Sequence, residues 1–252
     1  MHASTRNLLY ERADLYELIY PELDEATPRM CLRMFAQFLG KNPGSLLDIA
    51  CGTGRDLNVL SRTISDCWGF DLLPQAIAYA QSRRPHLQLK VGDMRTMRLG
   101  RKFEALTCFG SALSYALANE DIDAALRTMA IHADQGALLL LDLTNAAAFL
   151  AGGSFQAART FQVDAAGFKA HAEVSSTFDR GSQQMIRRRI WHIEGQEKPV
   201  EDFCRYRLFF PEELRHRLKE HGFSVLGLFD NKELHDSDFT GSTLYVAARF
   251  EN

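Results

Sequence analysis

Leu46-Leu47-Asp48-Ile49-Ala50-Cys51-Gly52-Thr53-Gly54-Arg55 is a dense apolar run that ends in two glycines one residue apart and passes into helical spacing. The run lacks the polar alternation of a half-exposed strand, so it predicts a strand covered on both faces, as in a parallel sheet. Without Cβ atoms, Gly52 and Gly54 permit positive φ and a close ligand approach to the backbone, and the helix that follows starts with unpaired N–H groups. A tight connection and a ligand cradle both fit this strand, turn and helix. The flanking sequence separates them.

Downstream, the periodicity predicts strands over 67–71, 87–91, 103–109 and 137–142, alternating with helices from 54, over 74–83 and over 121–132. Pro74 suits a first helical turn, and Glu120, Asp121 and Asp123 suit a helix N-terminus. This alternation implies right-handed crossovers and a doubly wound α/β sheet. Upstream, apolar positions around Leu15–Ile19 and Met30–Phe38, broken by Pro21 and Pro28, predict two helices in the first forty residues. From about 155 to 210 the period changes to two, with turns at Asp179-Arg180-Gly181-Ser182 and Glu194-Gly195-Gln196. Three long antiparallel strands are expected there. A helix from Pro211 closed by Gly222 and strands over 223–229 and 243–250 complete the chain.

The ends of the second and third predicted strands add carboxylates. Asp71 follows Gly52 by 19 residues, the spacing at which an acidic side chain reaches ribose hydroxyls, with capping of the helix at Pro74 as the alternative. Gly92-Asp93-Met94-Arg95 offers an acceptor for an adenine amino group beside a flexible thioether that can cover the ring. Three strand ends therefore direct ligand-binding chemistry at one crevice. A dinucleotide fingerprint would place a third glycine at position 57, where this chain has Leu57, so a dehydrogenase is disfavoured.

Composition narrows the partners. A net charge of −3 over 252 residues gives no diffuse basic field, so no nucleic acid is expected. The longest strongly apolar run, 137–141, is far short of a bilayer span, and no apolar segment near the N-terminus resembles a signal peptide, so a cytoplasmic protein is expected. Five widely spaced cysteines and scattered histidines predict neither disulfides nor a metal site.

Through Asp48-Ile49-Ala50-Cys51-Gly52-Thr53-Gly54, Asp71 and Gly92-Asp93-Met94 the chain resembles the class I S-adenosylmethionine-dependent methyltransferases. Within that class it is similar to small-molecule enzymes, in particular the N,N-dimethyltransferases of nucleotide-linked amino sugars, through Leu15-Tyr16-Glu17-Leu18, Leu99-Gly100-Arg101 and the antiparallel insert. It departs from the amino-sugar enzymes at Asp142-Leu143-Thr144-Asn145, where they carry a tryptophan-rich segment.

The resemblance implies a Rossmann-like seven-stranded domain over 41–153 and 211–252, a helical cap over 1–40 and an inserted antiparallel sheet over 154–210. The insert's edges suit either a lid or a homodimer contact. The implied cofactor is S-adenosylmethionine. Its methionyl part would lie on Gly52 and its neighbours Asp48, Ala50, Cys51 and Gly54, its ribose on Asp71 and Leu72, and its adenine on Asp93 and Met94, with Tyr16 and Phe109 beside it. Asp71→Ala is accordingly expected to weaken cofactor binding with little loss of fold. Tyr115, after the fourth strand, is the candidate catalytic orienter or proton acceptor, and Tyr10 its partner.

Arg187 and Arg189 share one strand face opposite Arg188. A solvent-facing sheet is the expected reading, a phosphate contact the alternative. His235-Asp236 is expected to be a solvated loop. The acceptor is a small metabolite taking the methyl group on nitrogen or oxygen. A carboxyl- or hydroxyl-directed methyltransferase and a catalytically silent cofactor-binding protein remain the alternatives.

Overall fold

A computed structural model describes residues 7–20, 25–150 and 155–251. The expected break at Pro21 and the expected domain boundary at 153/154 lie outside the described residues.

One sheet has seven strands. β1 (Ser45–Ile49), β2 (Asp66–Asp71), β3 (Gln88–Val91), β4 (Phe103–Cys108) and β5 (Ala133–Thr144) pair in parallel, and β11 (Thr243–Phe250) runs antiparallel between β5 and β10 (Phe223–Phe229). The spatial order is β10-β11-β5-β4-β1-β2-β3, so the winding reverses between β1 and β4. Ligands of such sheets collect at the strand C-termini beside that reversal.

Alternate residues of each strand feed the two faces. Leu46, Leu138 and Leu140 enter a core with Met34 and Phe35 of α3 (Ala26–Leu39) and Leu57 of α4 (Arg55–Leu60). Leu47, Ile49, Leu139 and Leu141 enter the opposite core with Leu126 and Met129 of α6 (Asn119–His132) and Leu214 and Leu218 of α7 (Pro211–Glu220). Each of these leucines, wholly removed from water, contributes about 1.5–3 kcal/mol before ordering costs. The unbroken apolar run of β1 is explained by this double coverage. α5 (Pro74–Arg83) begins with Pro74 in its first turn, as the missing N–H there is free of cost.

The second sheet has four strands in sequential order, β6 (Ala158–Ala165), β7 (Phe168–Asp179), β8 (Gln184–Ile193) and β9 (Val200–Arg207). This corrects the expected three. The overlooked turn is Ala166-Gly167, where both residues have positive φ (48° and 82°), the geometry of a two-residue hairpin. An alanine seldom signals that conformation because its Cβ opposes it.

The described residues of the N-terminal region likewise hold three helices in place of two. α1 (Leu8–Glu11) and α2 (Ala13–Ile19) are separated at Arg12 (φ −127°, ψ 83°) and precede α3. Leu9 and Leu15 are buried against Trp191, Ala172 and Val163 of the four-stranded sheet. The short N-terminal helices thus depend on the insert for their apolar contacts.

Candidate functional site

The turn after β1 places Ala50 (φ 58°), Gly52 (φ 56°) and Gly54 (φ 73°) in the left-handed region. Gly52 has open space where a side chain would point. Gly54 does not line a cavity; it precedes α4, and a Cβ there would approach Leu87, Ala80 and Leu89 at 3.4–3.7 Å. Its role is conformational and packing, which corrects its assignment to direct ligand contact.

Two contiguous cavities open at the reversal of the sheet. The first, about 180 Å³, is lined by Tyr10, Tyr16, Gly52, Asp71, Leu72, Asp93, Met94, Phe109 and Tyr115 among others. The second, about 510 Å³, is bounded by Asp48, Cys51, Arg55, Asp142, Arg187, Lys232 and Tyr245. Leu9, Tyr10, Tyr16, Ala50, Gly52, Thr53, Phe109 and Gly110 belong to both walls. The first is an apolar slot with carboxylates at its rim; the second is larger and carries charge of both signs.

Asp71 at the end of β2 is nearly enclosed, at 7% exposure. Its Oδ2 accepts the Gly52 N–H (2.8 Å) and its Oδ1 the Leu73 N–H (2.9 Å), so the carboxylate fixes the glycine turn and the entry to α5 together. Burial raises its pKa against the effect of those donors. The expectation that its bonds were reserved for a ligand is thereby corrected. Asp71→Ala is expected to cost about 1–3 kcal/mol through two stranded N–H groups, in addition to weakening ligand binding. Urea denaturation checks this; an unmoved midpoint would show the bonds to be replaceable by water.

Asp93 lines the first cavity, yet it is tied to Arg95, whose guanidinium donates to both carboxylate oxygens (2.6–3.1 Å) and whose N–H donates to Oδ1 (2.9 Å). That hydrogen bonding holds its pKa below the usual carboxylate range. Arg95 also donates to Asp121, which fixes the Gly92–Arg95 loop to α6.

The hydroxyls of Tyr10 and Tyr115 are 2.8 Å apart, Tyr115 donates to the Tyr206 hydroxyl at 3.0 Å, and the Cys204 thiol donates to Tyr206 at 3.0 Å. The chain of hydroxyls joins α1, the 3₁₀ turn Ala112–Tyr115 and β9. Burial raises all three phenol pKa values, so these groups stay neutral. A neutral phenol orients neighbours by hydrogen bonding; it does not take up a proton from an amine. That removes the proton-acceptor reading of Tyr115 and leaves the orienting one.

Asp48 is a buried carboxylate beneath the turn. Burial pushes its pKa up to about 8, opposed by the Thr107 hydroxyl, which donates to Oδ1 at 2.8 Å. Arg187 and Arg189 do not face solvent, contrary to expectation. They line the second cavity, because the N-terminal helices cover that face of the insert. Arg189 is paired with Asp202 at 2.7 Å, whereas Arg187 lies over the Tyr206 ring at 4.9 Å with no carboxylate partner among the described residues. Arg188, on the other face, pairs with exposed Glu201. His235 and Asp236 are exposed and line neither cavity.

Asp142, Thr107, Lys232, Tyr206 and the inward Arg187 were not identified as site residues from sequence. Only the position of Asp142 at the end of a buried strand carried a signal. The α/β architecture was legible, whereas the fastening of α2 was not: Glu17 of α2 pairs with buried Arg84 at 3.0 Å, and Arg84 also donates to the Thr53 carbonyl at 3.0 Å, tying α2 to the glycine turn.

Residues 46–136 match a family model described as a methyltransferase domain. A dTDP-3-amino-3,4,6-trideoxy-alpha-D-glucopyranose N,N-dimethyltransferase of Streptomyces venezuelae is 32% identical over 134 residues, 52% of this chain and 56% of that protein. A dTDP-3-amino-3,6-dideoxy-alpha-D-glucopyranose N,N-dimethyltransferase of Streptomyces fradiae is 36% identical over 124 residues, 48% of this chain and 49% of that protein. This chain thus spans about half the length of the curated relatives it matches. Among solved structures, an S-adenosylmethionine-dependent methyltransferase from Clostridium acetobutylicum superposes with a TM-score of 0.78 at 17% identity, covering 98% of this chain and 100% of that one. Residues 46–136 thus match a methyltransferase domain, and the seven-stranded sheet with the separate four-stranded sheet shares the Rossmann-like fold of that solved structure.

Proposed function

We propose that this chain transfers a methyl group from S-adenosylmethionine to the nitrogen of a small amino sugar. The observation that carries the reading is the pair of contiguous cavities at the sheet reversal, one apolar and one charged, sharing the glycine turn and Phe109-Gly110 as a common wall. A donor and an acceptor can then meet without crossing solvent, the arrangement an in-line displacement requires.

The residues present fit the cofactor. Gly52 leaves open space where a Cβ would stand, and the Thr53 hydroxyl on the shared wall is buried with no hydrogen-bond partner among the described residues. Gly52, Thr53, Asp71, Asp93 and Met94 would hold it, and when bound it supplies an activated methyl group. Around it the protein's own work is positional. Asp71 rigidifies the turn, Tyr10 and Tyr16 roof the slot, and the neutral Tyr10–Tyr115–Tyr206 hydroxyls orient the acceptor. Arg187 supplies a cation for the diphosphate of a nucleotide-linked sugar.

An amine in place of a hydroxyl acceptor is favoured by the identity with the two curated relatives and by the carboxylates of Asp48 and Asp142 in the second cavity. Calorimetric titration with S-adenosylmethionine, S-adenosylhomocysteine and NAD tests the first half. Binding of the first two with NAD inert is expected; NAD binding alone would overturn the reading. Methylation of amino-sugar nucleotides followed by mass spectrometry tests the second half.

A further inference from the structure

Asp142 closes the buried run of β5 and enters the second cavity at its C-terminal edge. Its Oδ1 accepts the Ser111 N–H at 2.6 Å, and its Oδ2 receives no hydrogen bond from the described protein. Two buried carboxylates that hold the structure together are saturated by comparison. Asp202 takes bonds from Arg189, Trp191 and Leu8, and Asp71 takes one backbone N–H on each oxygen. The cation in its field, Lys232, donates to the Thr27 hydroxyl at 2.9 Å, and Asp142 has no ion pair among the described residues.

A carboxylate half-satisfied in a polar cavity is a costly arrangement unless a cation arrives. Burial pushes its pKa up to about 7, with Ser111 and Lys232 opposing and Asp56 reinforcing the rise; Tyr245, Cys31 and Cys108 are the other titratable groups in its field. Such a group ionises when an ammonium approaches and takes a proton near neutral pH. Asp48 lines the same cavity but lies enclosed beneath the glycine turn at 7% exposure, whereas Asp142, at the C-terminal end of β5, is partly exposed to the cavity.

We propose that Asp142 is the acceptor-recognising carboxylate, binding the substrate's ammonium group through Oδ2 and taking its proton. This assignment rests on the methyl-transfer reading above. The chemistry balances: the ammonium first gives a proton to Oδ2, then the free nitrogen lone pair forms the N–C bond while the C–S bond breaks with its electron pair passing to sulfur. The proton released from the methylated ammonium goes to Oδ2 once the first has left to water. The neutral tyrosines need not act as bases. Amine over hydroxyl selectivity then resides in one side chain.

The test is calorimetry on the full chain saturated with S-adenosylhomocysteine. The probes are dTDP-3-amino-3,6-dideoxyglucose and its 3-hydroxyl counterpart. Wild type is expected to favour the amine at least tenfold, and Asp142→Asn, which keeps the Ser111 bond, to bind both equally while S-adenosylhomocysteine affinity stays within twofold. Asp142→Ser, uncharged and smaller, gives the same comparison should the amide variant not fold. A tenfold amine preference that survives in either folded variant, or that is absent from wild type, overturns the assignment and leaves the methyltransferase reading intact. Failure to bind S-adenosylhomocysteine overturns that reading itself. Binding of S-adenosylhomocysteine with neither sugar overturns the amino-sugar acceptor and the Asp142 assignment together.

Discussion

Asp202→Ala is expected to lower stability by about 3–5 kcal/mol, because it strands a buried guanidinium. Asp202 is fully enclosed and accepts from Arg189 Nε (2.7 Å), Arg189 Nη2 (3.1 Å), Trp191 Nε1 (3.0 Å) and the Leu8 N–H (3.0 Å). Arg189 also donates to Asn7, whose side chain caps α1 by accepting the Leu9 N–H. Loss of the carboxylate therefore leaves a cation, an indole N–H and a helix start without partners. In a chain of this size the melting temperature should fall by roughly 10 °C or more. Glu201→Ala is the matched control, since its pair with Arg188 is half exposed on both sides and solvent screens it. Thermal denaturation of the two variants decides the matter; equal shifts would mean that the interior pair is no more than another surface contact.

Gly52→Val is expected to abolish cofactor binding while leaving a folded protein. At φ 56° any L-residue pays about 1–2 kcal/mol for the left-handed conformation, and a β-branched one more. Within the protein the new side chain meets nothing inside 4 Å at its Cβ, so the remaining cost falls on whatever occupies the cavity. Affinity for S-adenosylhomocysteine should drop at least 100-fold, about 2.7 kcal/mol. Gly100→Ala separates strain from exclusion, since Gly100 has φ 70° and open space but lines neither cavity. It should lose stability alone. If Gly52→Val binds S-adenosylhomocysteine as wild type does, the glycine turn is only a connection.

The doubly wound sheet was legible because burial on both faces leaves continuous apolar runs such as Leu46–Ile49 and Ala137–Leu141, and because Pro74 and Pro211 start helices at the expected places. The cofactor side of the site was legible for the same reason, since ligand-facing residues follow strand ends directly. What sequence could not show was mutual satisfaction. That Asp71 spends its bonds on Gly52 and Leu73, or Asp93 on Arg95, depends on backbone approaches that no spacing encodes. Alternation correctly divided Arg187 and Arg189 from Arg188, but which face is covered was decided by α1 and α2, far earlier in the chain. Asp142 drew no attention as one polar residue after a leucine run. Its chemistry comes from Ser111 and Lys232, brought together only by the fold.

The N-terminal helices form part of the wall of both cavities and are fastened by polar contacts that include Asn7 and Leu8 to Arg189 and Asp202 on the insert, Tyr10 to Tyr115 and Gln75, and Glu17 to Arg84 beside the glycine turn. Between those points the segment buries few side chains of its own, Leu9 and Leu15 chief among them. Local opening of so short a segment costs less than global unfolding. Ligand exchange is accordingly expected to be coupled to opening of this segment, with the off-rate of a bound ligand set in part by how fast these fastenings come undone. Amide protons of residues 8–19 should report occupancy, slowing in proportion to ligand saturation while the central strands do not change.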